Sequence, residues 1–206
     1  MKNAVFSIDA RQLPVDKQEI LRYAGVRGES NETDSLLESC LALAAPVLTP
    51  QLIYTEIPVS QVGEDGLDLC FATVHSKALA KRLSGCRRAI VFAATVGIRF
   101  DRLLARYSLL SPTKALLLDA IGNERVEAFC NAFEESLYQE LIQKGSRLRP
   151  RFSPGYADLP IFFQKEIFSV LDCEKTIGLF LGEQMLMSPS KSVTAIIGIV
   201  DSNRCV

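Results

Sequence analysis

The sequence predicts an α+β fold, and three observations carry that expectation. Strand-like and helix-like segments mix without a regular strand–helix–strand alternation, which disfavours a doubly wound sheet. Residues 88–96 (RAIVFAATV) form a continuous apolar run of strand length, the mark of a buried strand. From Ser111-Pro112 to Lys144 no proline intervenes, and Leu118, Ile121, Val126, Phe129, Phe133, Leu137 and Leu141 recur at mostly three to five residues. That spacing predicts one long helix, bent near Gly122, packed across a sheet.

The remaining elements follow in order. Residues 4–8 read as a short strand, and Asp16 with Glu19 resembles a capping box opening a helix near 17–24, with Gly25 as its stop. A second helix runs from Asn31 to Ala45, with Leu36, Leu37, Cys40, Leu41 and Ala44 on one stripe and Pro46 ending it. Residues 51–57 and 67–74 are rich in β-branched and aromatic types, so two strands are expected there, with Gly63, Asp65 and Gly66 as the turn between them. A short helix spans Ser76 to Leu83, and another follows Gly97 with Phe100, Leu103 and Leu104. Ser111 caps the long helix with proline at N1, and Gly145 closes it. Residues 145–159 are expected to be an irregular loop, Pro160 to Asp172 a helix, and 176–181 and 192–200 strands.

Composition bounds the function. The 206 residues suffice for one real core. Twenty-three basic residues nearly cancel 24 acidic ones, and a net charge of −1 gives no field to attract a polyanion. The longest uncharged stretch, Ser39 to Thr55, is 17 residues broken by Pro46 and Pro50, so no membrane span is expected. No secretory signal is visible before Asp9, and a cytoplasmic location is expected. The six cysteines (40, 70, 86, 130, 173, 205) form no C-x-x-C pair and read as buried thiols. One histidine, His75, rules out multi-histidine metal sites and reads as structural or surface; no metal is expected.

Chemistry concentrates in the 145–159 segment. Lys144, Arg147, Arg149 and Arg151 place four cations within eight residues, beside Pro154-Gly155-Tyr156. Arginines in a proline-stiffened loop hold a carboxylate or phosphate at little ordering cost. Gly155 admits a close ligand approach, and Tyr156 offers a ring face. The plain alternative is a solvated basic loop after a helix C-terminus. Glu127 lies near the apolar stripe of the long helix, and Glu183 follows the run TIGLFLG; each needs a partner if buried and none if it lies at an edge. Met185 and Met187 read as core filler. Neither G-x-G-x-x-G nor a Walker A sequence occurs.

The run R-F-S-P-G-Y, Arg151 to Tyr156, resembles the R-x-x-x-G-Y signature of the reactivation domain of cobalamin-dependent methionine synthase. Glu183 to Val193, Ala93 to Gly97 and Leu116 to Gly122 are similar to further family blocks, and the likeness extends over about residues 89–200. It implies a free-standing, C-shaped single domain over 1–206, least defined over 1–88, built on a twisted antiparallel sheet. It also implies S-adenosylmethionine binding by Arg151, Ser153, Gly155, Tyr156 and Glu127, with no catalytic side chain. The ligand would re-methylate oxidised cobalamin with an electron from a flavodoxin-like donor.

The chain departs from the family pattern where A-D-L-P-I-F-F follows the G-Y, where Ile197 stands at an expected tyrosine, and where no N-terminal aspartate is matched. It lacks the cobalamin-binding D-x-H-x-x-G motif. Cobalamin would therefore be carried by a partner, a separate methionine synthase or another corrinoid protein. The competing expectation is a non-catalytic binding module with a degenerate groove.

Overall fold

The structure, a computed structural model, describes residues 2–201 apart from 29 and 64. Cys205 lies outside the described residues. The chain runs β1 (Ala4–Ser7), α1 (Lys17–Tyr23), α2 (Asn31–Ala44), β2 (Gln51–Pro58), β3 (Ser60–Val62), β4 (Gly66–Asp68), β5 (Thr73–His75), α3 (Lys77–Arg82), β6 (Arg88–Thr95), α4 (Ile98–Leu110) and α5 (Pro112–Ile142). It continues through β7 (Ser146–Leu148), α6 (Gln164–Val170), α7 (Cys173–Ile177), β8 (Phe180–Leu181), β9 (Met187–Ser188) and β10 (Ser192–Asp201).

The fold is α+β, as the sequence predicts. One curled five-stranded sheet has the order β1-β2-β6-β10-β7, every pairing antiparallel. The first 88 residues supply its β1 and β2. β6 and β10 sit inside the sheet with both faces covered, which is why their sequences read as unbroken apolar runs. On one face, Leu52, Ile90, Phe92, Ala94, Ala195, Ile197 and Ile199 pack against Phe129, Cys130, Phe133, Leu137 and Leu141 of α5. On the other, Ile53, Ile57, Val91, Ala93 and Ile196 meet Leu79 of α3 and Phe163 and Ile167 around the start of α6. A third cluster joins α1, α2, α4 and the first half of α5.

Local chemistry explains the ends. Asp16, Ser30, Ser76 and Ser111 each accept a backbone N–H at the start of α1, α2, α3 and α5. Gly122 sits inside α5 where a Cβ would come within 2.6 Å of the Phe100 ring and 2.8 Å of the Lys191 stem, so its role is close packing.

Four expectations need correction. The 67–74 run is two strands, β4 and β5, of a separate three-stranded meander, because Cys70 turns the chain with φ 70°. Residues 145–159 are not wholly irregular: β7 pairs with the end of β10, and Phe152 bridges Ile196. Residues 173–177 are helix where strand was expected from 176, leaving only Phe180–Leu181 extended. Pro160 to Asp172 holds a 3-10 turn at Ile161–Phe163 followed by the seven-residue α6.

A buried ion pair on α5 ties down the N-terminal segment. Glu124 and Arg125 are each about 3% exposed and bond to each other. Glu124 accepts the Asp16 N–H at 3.0 Å, and Arg125 donates to the carbonyls of Leu13 (3.2 Å) and Pro14. Breaking one half of such a pair strands the other charge in the interior. Arg125→Met is therefore expected to lower unfolding free energy by about 3–5 kcal/mol, and adding Glu124→Gln to recover a substantial part of it, read from urea denaturation midpoints.

Candidate functional site

A groove of about 530 Å³ opens where the end of α3, the middle of α5, the 151–156 loop, the start of α6, β9 and the start of β10 meet. Its size suits a small organic ligand. Arg151, Ser153, Tyr156 and Glu127 all line it. Gly155 shapes the loop between Pro154 and Tyr156: its φ is 90°, and its N–H donates to the Leu159 carbonyl at 2.8 Å.

Arg151 is the hub. Nη1 donates to Asn131 Oδ1 at 2.8 Å and to Glu134, and Nη2 donates to Glu127. Residues 127, 131 and 134 lie four and three apart, on one stripe of α5. Burial works against the guanidinium charge, but the hydrogen bond and field of Glu134, with Glu127 adding to the field, outweigh it and hold the pKa above the ordinary arginine value. The trio carries one positive and two negative charges. Tyr156, 70% exposed, leaves its ring face open at the rim.

The loop is tied to α3 by Asp158. Its carboxylate accepts the Ser76 hydroxyl at 2.5 Å and the backbone N–H groups of Lys77 (2.7 Å) and Ala78 (3.2 Å). These bonds, the Ser76 hydroxyl foremost, hold the Asp158 carboxyl below its usual range.

Other residues fall elsewhere. Glu183 is exposed between β8 and β9 and lines none of the hollows described here. The four-cation run disperses: Lys144 pairs with Glu140 at 2.7 Å, and Arg147 is exposed on β7. Arg149 donates to the Ser84 carbonyl at 3.3 Å and lines a separate hollow with Lys81 and Arg82. Only Arg151 of the four enters the groove. His75 is exposed at the end of β5. Ile197 is wholly buried against α5. Of the five described cysteines, Cys40, Cys86, Cys130 and Cys173 are buried free thiols and Cys70 is exposed. Burial pushes the Cys173 thiol up to about 12. No group of three or more potential metal ligands occurs among the described residues. No helix among them is long and apolar enough to cross a membrane.

Several lining residues were not singled out as site residues by the sequence. Arg82, Gln164, Met187, Ser192 and Thr194 reach the groove from four elements. Met187, read as filler, lines the groove while remaining packed on the core. A larger hollow of about 1040 Å³ lies on the other side of Glu127, between α1 and α5, and takes in Asp16, Glu19, Tyr23, Glu124 and Glu135. Asp16, read only as a helix cap, thus borders a space that shares Glu127 with the groove.

The sequence profile of the vitamin B12-dependent methionine synthase activation domain matches residues 79–204, the region that builds the groove from α3 to β10. The chain belongs to that family. This activation domain also resembles a solved structure described as the MetH reactivation domain bound to AdoHcy. The TM-score is 0.73 at 18% identity, over 100% of this chain and 80% of that one, so the likeness is one of fold. Among curated proteins, none matches.

The Asp158 tether generates a pH dependence. A carboxyl with a depressed folded pKa contributes stability that is fully present above its unfolded value of about 4 and is lost as pH falls through the lower folded value. Urea midpoints are expected to drop on acidification below about pH 4, and Asp158→Asn to flatten that part of the profile.

Proposed function

We propose that residues 1–206 act as one activation domain that binds S-adenosylmethionine in the groove beside Arg151. It would support reductive re-methylation of cobalamin held by a separate methionine synthase or other corrinoid protein. The observation that carries the reading is the Arg151–Glu127–Glu134 trio beside the exposed Tyr156 ring, in a groove of ligand size.

The ligand's chemistry suits this site. Its head group is a zwitterion, so it presents a carboxylate to the guanidinium and an ammonium to Glu127. Its sulfonium adds a positive charge, which the net negative trio favours. Tyr156 offers a ring face to the sulfonium or the adenine. Ser153 and the Gly155 turn bring backbone close to the ligand.

Cobalamin, carried by the partner, supplies the cobalt centre that accepts the methyl group. The chain's lone His75 lies in V-H-S-K at the end of β5, outside any D-x-H-x-x-G motif, so its own residues do not fit a cobalamin site. What this chain contributes is position. The groove holds the donor's head group and base and leaves the rim open on the Tyr156 side, so orientation is its main catalytic contribution. A flavodoxin-like protein would deliver the electron.

A second reading has one observation in its favour. The Arg151 fork is already engaged by two glutamates and Asn131, so a ligand must share it. On this reading the chain is a binding module of a corrinoid methyltransferase system whose groove no longer takes the donor.

Calorimetry separates the two. Under the first reading the wild type binds S-adenosylmethionine, and Glu127→Gln weakens binding on the order of tenfold, the effect of losing one charge-assisted bond. Arg151→Ala is expected to abolish binding. Absence of heat with millimolar ligand, together with ligand-independent capture of a corrinoid protein, supports the second reading.

A further inference from the structure

Among the described residues, two buried side-chain polar atoms have no hydrogen-bond partner: Gln164 Oε1 and Thr194 Oγ1. Both residues line the groove beside Arg151, and they are 5% and 2% exposed. A buried, unpaired polar group is costly, and native structures hold few of them. That both fall in one groove, from two different elements, points to a ligand that completes them.

The strand edge adds to them. Ile196 exchanges backbone hydrogen bonds with Phe152, both at 2.9 Å, and Gly198 accepts from the Arg149 N–H at 2.8 Å. Even-numbered residues of β10 therefore turn their backbone groups toward this edge. Thr194 lies two residues before Ile196, and its ladder partner, Ala93, lies on the opposite side. β7 pairs only with residues 199–201, so no strand covers the edge at Thr194. By the same alternation its N–H and C=O point toward that edge.

Gln164 and Thr194 are uncharged, in contrast to Arg151 and Glu127 of the same groove. Gln164 presents an amide with one donor face and one acceptor face, and its Oε1 has no partner among the described residues. An uncharged ring that carries an adjacent donor and acceptor on its edge meets this requirement, and the glutamine amide pairs with adenine in that way at N6 and N7.

We propose that Gln164 and Thr194 form the base-reading end of the groove and select an adenine ring over a purine with a carbonyl at C6. This rests on the reading that the groove takes an adenosyl ligand. The residues act by specificity: a site built to hydrogen-bond a group rejects the analogue that lacks it.

The test titrates the full chain with S-adenosylhomocysteine and with S-inosylhomocysteine, for wild type, Gln164→Met and Thr194→Val. The wild type is expected to favour the adenosyl ligand by on the order of tenfold. Gln164→Met is expected to erase the preference, and Thr194→Val to reduce it. Thermal stability should hold or rise in both, since each replaces an unpaired buried polar group with an apolar one. A wild type that binds both nucleosides equally, or variants that keep the full preference, overturns this inference alone. A wild type that binds neither overturns the adenosyl reading as well.

Discussion

The site depends on one clamp, Arg151 held between Glu127 and Glu134. The 149–156 segment leaves the sheet edge after β7 with few backbone partners of its own. Phe152 pins it to β10 by two backbone bonds, and Arg151, one residue earlier, reaches across to α5. The two anchors fix the loop against a helix on one side and a strand on the other. Arg151's side chain is about one-fifth exposed, so its ion pairs are screened less than surface pairs are.

That clamp works only because α5 is long, 31 residues. Its first half lies against α1, α2 and α4, and its second half crosses the sheet. Glu124 and Arg125 face the N-terminal segment, while Glu127, Asn131 and Glu134 face the loop. One helix therefore braces both the N-terminal region and the candidate site. Glu127 stands at the divide between the groove and the acid-lined hollow over α1.

Legibility in the sequence followed burial. β6, β10 and α5 were readable because both faces of the inner strands, and one face of the helix, are apolar over most of their length. The meander was misread because 67–74 is mostly apolar and rich in strand-forming types, and only the backbone at Cys70 shows that the chain turns there. Residues 173–177 became helix because Cys173 and Ile177, four apart, both face the core, a spacing too short to register as a period. The family signature drew attention to Arg151, Ser153, Gly155 and Tyr156 as a contiguous run. Gln164, Thr194, Arg82 and Asp158 gave no signal, because each sits in an ordinary local context and acquires its surroundings from another element.

The sequence by itself determined the α+β class, the inner strands, the long helix with its capped start, and the R-F-S-P-G-Y loop as the place to look. Those are properties of local patterning, where side-chain period and capping chemistry act over a few residues. Only the tertiary structure decided that three of the four clustered cations turn away from the groove, that Arg151 is shared by two glutamates, and that two residues with unpaired buried oxygens line one groove. These depend on which faces the curled sheet brings together across tens of residues, and neighbours along the chain carry no record of that.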